Sequence, residues 1–300
     1  MLMVFLILFA ILSIFVPFFF TWRNMVGLSL SVATLGMVAC TMTFALASGN
    51  FDLSVGSIVA FSGVAAAVVI NITGSTLLGI LAGLAGSMLI GFVNGTVIAK
   101  LKINALITTL AMMQVVRGLA FIVSGGSAVG IRNADFYVLG TGTFAGIPMP
   151  IWIVLGYFLL FAGILNKTTY GRNTLAIGGN EEAVRLSGIN VDRIKIAIFS
   201  IQGLMTGFAG IVLAARMTSG QPNTSQGFEL TVISACVLGG VSLSGGVASM
   251  TGALVGVLIM GSVQNAMNLL NVPTFYQYVA RGTILLAAVI FDTLKQGKVR

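Results

Sequence analysis

The sequence predicts an all-α membrane protein, a polytopic bundle of about ten transmembrane helices forming a single domain over 1–300. Three observations predict it. Apolar residues make up 57% of the 300 and charged residues only 7%, where a soluble domain carries roughly 45–50% and about 25%. The apolar residues fall in runs near the roughly 20 that cross a hydrocarbon layer. The 15 Lys and Arg give a net charge of +8 but sit at the ends of those runs, a pattern of membrane topology and not of nucleic-acid binding.

The elements follow in order. Residues 1–20 are apolar without a basic leader or a small-residue cleavage site, so they read as a retained span and not a secretory signal. Spans 25–48, 53–72, 75–99 and 105–124 come next, then an outer loop over 125–148. Spans 149–166 and 194–217 flank the longest polar loop, 166–195. A second outer loop covers 218–228. The apolar stretch Glu229–Leu238 is too short to cross alone and runs into Gly239-Gly240-Val241-Ser242-Leu243-Ser244-Gly245-Gly246. It reads as a half-helix, with Glu229 at its positive end, that breaks into extended chain; such backbone is tolerated at membrane depth only against protein or water. Spans 246–270 and 275–293 complete the bundle. Segment 239–246 echoes 49–56, and Val116-Arg117-Gly118 echoes Ala280-Arg281-Gly282. Internal repeats of this sort occur in transporters, with broken helices at the substrate site.

Ten crossings put Lys100 and Lys102, the 166–195 loop with Lys167, Arg172, Arg185, Arg193 and Lys195, and the tail with Lys295, Lys298 and Arg300 on one side with the N-terminus. That side is the cytoplasm. The opposite side keeps Trp22, Trp152, Tyr276, Tyr278 and all 5 prolines. The 38 glycines, such as Gly79, Gly83 and Gly86, allow close helix packing in lipid.

Histidine is absent, which removes histidine metal sites, Ser-His-Asp triads and histidine proton relays. Cys40 and Cys236 each sit inside an apolar run and form no CxxC pair, so they read as small buried hydrophobes. Metal-ligand and cofactor motifs are missing. An intramembrane enzyme would show paired acids, HExxH or GxSxG. The one adjacent acid pair, Glu181-Glu182, has a simpler explanation as a helix cap.

In the 166–195 loop, Asn180 is an N-cap. Glu181 and Glu182 lie at the positive helix end, and Gly188 is free to end the helix with positive φ. A helix of about two turns follows, with Ala183, Val184 and Leu186 as its apolar edge and Arg185 between them. So short a helix needs a partner surface, either this chain or another protein. Glu182-Ala183-Val184 followed by Gly188 resembles the EAA loop of ATP-binding-cassette importer permeases. Val stands where the second Ala is usual, and the Ile-x-Leu-Pro ending is missing, as in the sugar-permease branch of ribose, galactose and arabinose systems. Segments 49–56, 101–110, 117–118, 170–174 and 238–246 agree with that branch. Segments 216–222 and 265–271 are most similar to its arabinose systems.

The resemblance implies an importer-permease fold with broken helices. It also implies a homodimer in the bacterial inner membrane, a cytoplasmic tandem-domain ATPase, a periplasmic sugar-binding protein and a monosaccharide substrate. Residues 180–188 become the ATPase-coupling helix. ATP and magnesium would belong to the partner, since no GxxxxGK[ST] occurs; Gly297-Lys298 is followed by Val299. The outer loops 125–148 and 218–228 would receive the binding protein.

Candidate pathway residues are the polar groups inside the spans. Gln114 and Arg117 share a helix face. Arg117 and Arg281 lie at similar outer depths, where they either snorkel to headgroups or line a vestibule. The amides of Gln264, Asn265 and Asn268 suit a neutral polyol or bond between helices. Asp52 either caps the helix beginning at Leu53 or takes part in transport. An ion-coupled transporter is the competing function. It requires ionisable groups deep in the bilayer, and only Asp52 is a candidate.

Overall fold

The computed structural model describes the backbone of residues 1–297 and side chains through Ile290. Asp292, Lys295, Lys298 and Arg300 therefore lie outside the described side chains. The helices are α1 Leu2–Phe15, α2 Trp22–Ala47, α3 Val55–Thr73, α4 Thr76–Lys100, α5 Ala105–Ser124, a single turn α6 Val138–Thr141, α7 Met149–Lys167, α8 Thr169–Gly179, α9 Glu181–Leu186, α10 Val191–Met217, α11 Phe228–Leu238, α12 Met250–Leu269 and α13 Thr274–Gly297. Seven (α2, α3, α4, α5, α7, α10 and α12) are long and apolar enough to cross a membrane. The apolar helix α1, the half-helix α11 and α13 are the remaining expected segments.

Local chemistry sets the boundaries. Side chains of Thr21, Ser75, Asn104, Asn190 and Ser249 each accept a first-turn amide of the helix they precede, satisfying donors that a helix start leaves open. Gly74 and Gly125 end α3 and α5 in the left-handed conformation. Pro150 sits in the first turn of α7, where its missing N–H costs nothing.

Three elements differ from expectation. The first span is shorter than 1–20: α1 stops at Phe15 because Val16, one residue before Pro17, is extended, as the proline ring demands. The chain then folds back, and Phe19 is fully buried. The 166–195 loop contains a second helix, α8, whose N-cap Thr168 accepts the Gly171 amide. The expected span at 194 begins at Val191, so Arg193 and Lys195 belong to α10.

The core centres on α2, in which every residue from Val32 to Ala47 is buried. A helix apolar all round is an interior helix. The α4 and α10 helices pack so closely that a Cβ on Gly91 would stand 2.2 Å from the Phe199 carbonyl oxygen. Cys40 and Cys236 are both buried, and the Cys236 thiol faces Thr43 and the Ala39 carbonyl.

Two irregular crossings interrupt the bundle. Residues 48–54 lead from α2 into α3, and the 221–227 segment leads into α11. Gly56 at the start of α3 stands against the Glu229 carboxylate and the Ser225 carbonyl at the start of α11, so the two helix N-termini meet. Segments 49–56 and 239–246, which echo each other, also meet: a Cβ on Gly245 would stand 2.9 Å from the Gly49 amide nitrogen, and Gly246 donates its amide to the Ala47 carbonyl at the end of α2 (2.9 Å). Gly178 of α8 fits between them, where a Cβ would strike the Ala47 carbonyl oxygen at 1.9 Å.

At the end of the bundle opposite α9, Val129–Gly130 pairs antiparallel with Ser219–Gly220. The loop 125–148 is packed, with Phe136 fully buried against Ile131, Ile211 and Ala215.

Candidate functional site

Two regions gather the polar side chains that an apolar bundle would otherwise avoid. The first is a cavity of about 630 Å³ at the end opposite α9, walled by α2, α10, α11, α12, α13 and the 221–227 segment. Its volume suits a small polar ligand. Gln264, Asn265, Asn268 and Arg281 all line it. The Asn265 amide exchanges two hydrogen bonds of 2.9 Å with Asn24, closing α12 onto α2. Asn268 accepts from Gln277 at 3.0 Å. The Gln264 side chain makes no hydrogen bond to protein among the described residues, so its amide donor and acceptor are open to a ligand. Arg281 stacks on the Tyr278 ring at 4.7 Å and donates to the Gln277 carbonyl at 3.3 Å.

Sequence reasoning missed Arg216, Asn223 and Gln226 as members of this wall. Arg216 ends a long apolar run and looks like a flanking charge. Its guanidinium instead turns inward and donates to the Leu30 carbonyl at 2.6 Å. A cation two residues before the turn at Thr218 was the available signal.

Arg117 and Gln114 line a separate recess of about 200 Å³ with Ser57, Gln226 and Glu229. Arg117 donates to the carbonyls of Pro222 and Thr224 at 2.6 and 2.8 Å. It therefore ties the 221–227 crossing to α5, and it does not snorkel. Gln226 lines both spaces. Asp52 lines neither among these; it is fully buried, and its Oδ1 accepts from the Ser54 amide (2.9 Å) and hydroxyl (2.5 Å). That geometry serves the start of α3, and the Asn94 amide donates to the same Ser54 hydroxyl.

The second region is α9 and its seat. Asn180 accepts the Ala183 amide at 3.0 Å, and Gly188 has φ +81°. Glu181 binds Lys195 at 2.6 Å and Arg185 at 3.1 Å. Asp192 takes Arg185 at 3.0 Å, Lys102 at 3.1 Å and Lys100 at 3.8 Å. The basic loop between α4 and α5 and the α8–α9 loop thus lie at one end of the bundle. Partial burial works against the Glu181 charge, but hydrogen bonds from Lys195 and Arg185 and the Lys195 charge hold its carboxyl below the usual range. Hydrogen bonds to Asp192 and Glu181 raise Arg185 further. Of the expected apolar edge only Val184 is buried, against Ile177 and Val191. Leu186 is 83% exposed, and Glu182 and Ala183 also face outward.

Comparison with known proteins places this architecture. A family model described as "Branched-chain amino acid transport system / permease component" matches residues 24–289. The chain belongs to this permease family. It is 61% identical to the L-arabinose transport system permease protein AraH of Escherichia coli (strain K12), over 99% of this chain and 90% of that one. The L-arabinose ABC transporter permease protein AraH of Azospirillum brasilense is 59% identical, over 99% of this chain and 88% of that one. The ribose import permease protein RbsC of E. coli K12 is more distant, at 41% over 97% and 92%. No solved structure matches. The permease reading of the sequence and the polytopic all-α fold are thereby established.

Proposed function

We propose that this chain is the membrane-spanning subunit of an ATP-driven L-arabinose importer in a bacterial inner membrane. It works as a homodimer with a cytoplasmic ATPase and a periplasmic sugar-binding protein. The observation that carries the reading is 61% identity over 99% of the chain to an L-arabinose permease, against 41% to a ribose permease. The cavity chemistry supports it: open amides and guanidinium donors suit a neutral polyol, and affinity is left to the soluble partner. In this reading the α9 end and both termini face the cytoplasm, where the Lys and Arg bias supports that orientation. The outward edge of α9, Glu182, Ala183 and Leu186, seats in the ATPase. Loops 125–148 and 218–228 receive the binding protein.

Radiolabelled L-arabinose uptake tests this in a strain lacking its own arabinose importers and supplied with the chain and its two partner subunits. Uptake should depend on ATP, resist a protonophore and favour arabinose over ribose. Uptake that survives ATP depletion, or that ribose dominates at equal concentration, refutes it. Glu182→Lys tests the coupling helix separately. Placing a cation at the seat should lower uptake by about tenfold or more while the permease still inserts.

A further inference from the structure

The charge of the cavity wall says more than its shape. Among the described residues, the wall contains two guanidinium groups, Arg216 on α10 and Arg281 on α13, and no carboxylate. Each is fixed from one side. Arg216 spends one N–H on the Leu30 carbonyl of α2, and Arg281 lies over Tyr278 with its Nε on the Gln277 carbonyl. A guanidinium has five N–H donors and keeps its charge throughout the physiological range, so both retain donors and a full positive charge toward the cavity. No acid lies within ion-pair distance of either among the described residues; the five ion pairs all belong to the α9 end. Among the described residues, the acid nearest Arg216 along the chain, Glu229, lines the other recess beside Arg117. The remaining polar wall, which includes Asn223, Gln226, Gln264, Asn265 and Asn268, is neutral.

A cavity wide enough for a hydrated sugar also admits hydrated inorganic cations and protonated amino sugars. Fixed cations in a low-dielectric lumen repel mobile ones and leave neutral solutes untouched. We propose that Arg216 and Arg281 make this cavity a cation-excluding filter, passing neutral monosaccharides while rejecting inorganic cations and protonated amino sugars. Their specificity would therefore act on charge, with the neutral amides left to meet hydroxyls. This rests on the importer reading for its purpose, but not for its measurement.

The test reads the cavity potential directly. Gln264→Cys places a thiol in the wall of the full-length permease in membrane vesicles; Cys40 and Cys236 are buried and give little background. Modification rates are compared for a cationic, an anionic and a neutral methanethiosulfonate, each divided by its rate with a free thiol. The anionic reagent should outpace the cationic one by about tenfold or more. Adding Arg216→Gln and Arg281→Gln together should bring the ratio near one without changing the neutral rate. Asn268→Cys repeats the measurement should the first thiol disturb folding. A ratio near one with both arginines present, or a ratio that survives their replacement, overturns the proposal, as does a thiol at both positions that no reagent reaches. Failure of arabinose uptake would leave these rates unaffected, so the two claims fail separately.

Discussion

At the scale of single residues, the polar groups inside the bundle divide by what their side chains touch. Arg117 is a fastener: two charge-assisted bonds to backbone carbonyls at 2.6 and 2.8 Å hold a crossing segment that has no helix to satisfy it. Arg117→Gln should cost about 2–4 kcal/mol, taking bonds to charged groups at roughly 1.5–3 kcal/mol each and allowing partial replacement by the amide. The expected readout is a lower thermal midpoint in detergent together with faster proteolysis within 218–227. Gly91 is a spacer, since any Cβ meets the Phe199 carbonyl at 2.2 Å. Gly91→Ala should destabilise by about 1–3 kcal/mol through overpacking. Gly163→Ala, at a site with nothing within 4 Å, should shift the melting midpoint little. That polar residues interrupt the spans was legible in the sequence, because a Gln, Asn or Arg in an apolar run stands out. What each one does was not. Asn265 finds its partner Asn24 241 positions away, and no local pattern reports such a pairing. Arg216 was hidden because it ends a run where a flanking cation is ordinary.

At the scale of elements, hydropathy runs and caps located nearly every helix, since both are local properties. The misses have local causes as well. Thr169–Gly179 is too polar to stand out as a helix, and it is held by packing: Tyr170 stacks on Phe44 of α2 at 5.8 Å, and Gly178 slots between α2 and the 239–246 segment. The helix α9 was legible from its cap, but its anchorage was not. Six residues do not form a stable helix alone, and one buried apolar side chain, Val184, is a small anchor. The ion pairs supply the rest, chiefly Glu181 with Lys195, because Lys195 is 10% exposed and the other cations are far more open to solvent. Exposed pairs contribute little. The Glu181 carboxyl is held below its usual range, so its folded value lies under the unfolded value of about 4.3. Its stabilising contribution is therefore complete above that value and is lost as pH falls through the folded value. Amide exchange over 181–190, corrected for intrinsic rate, should be constant from pH 8 to 5 and accelerate only once the pH falls below the unfolded value of about 4.3. In Lys195→Gln the acid-type exchange should already be present at pH 7.

At the scale of the whole molecule, two packets share one seam. The α10 helix packs chiefly on α4 and α3, with α5 beside α3; α2 packs on α7 and α12, with α11 between α12 and α13, and α2 packs on α10 as extensively as on α7, forming the seam. The 630 Å³ cavity lies where α10 of the first packet faces α2, α11, α12 and α13 of the second, and the Arg216 bond to Leu30 crosses that seam. The sequence showed the spans but not this partition, because which helices pair depends on contacts between distant residues. The ends of the first packet are tied differently. At the α9 end, the α4–α5 loop is held to α10 by Lys102 and Asp192. At the other end, the loop after α5 is held to the α10–α11 connection by the strand pairing of Gly130 with Ser219 and by the Ile131 amide on the Thr218 carbonyl. Facing residues in such a pair have Cα atoms about 4.5–5.5 Å apart, within the range a disulfide spans. A Cβ on Gly130 meets nothing within 4 Å. The double variant Gly130→Cys/Ser219→Cys should therefore form an intramolecular disulfide on mild oxidation, seen as a dithiothreitol-sensitive mobility shift on a denaturing gel. Closing so long a loop restricts the unfolded chain, so the oxidised form should be more stable than the reduced form by about 2–4 kcal/mol. Gly130→Cys/Leu186→Cys, which pairs the loop with an exposed residue of α9 at the opposite end of the bundle, should show no such shift. A crosslink in that control but not in the paired variant would show that the strand register, and with it the tie between α5 and α10, is wrong.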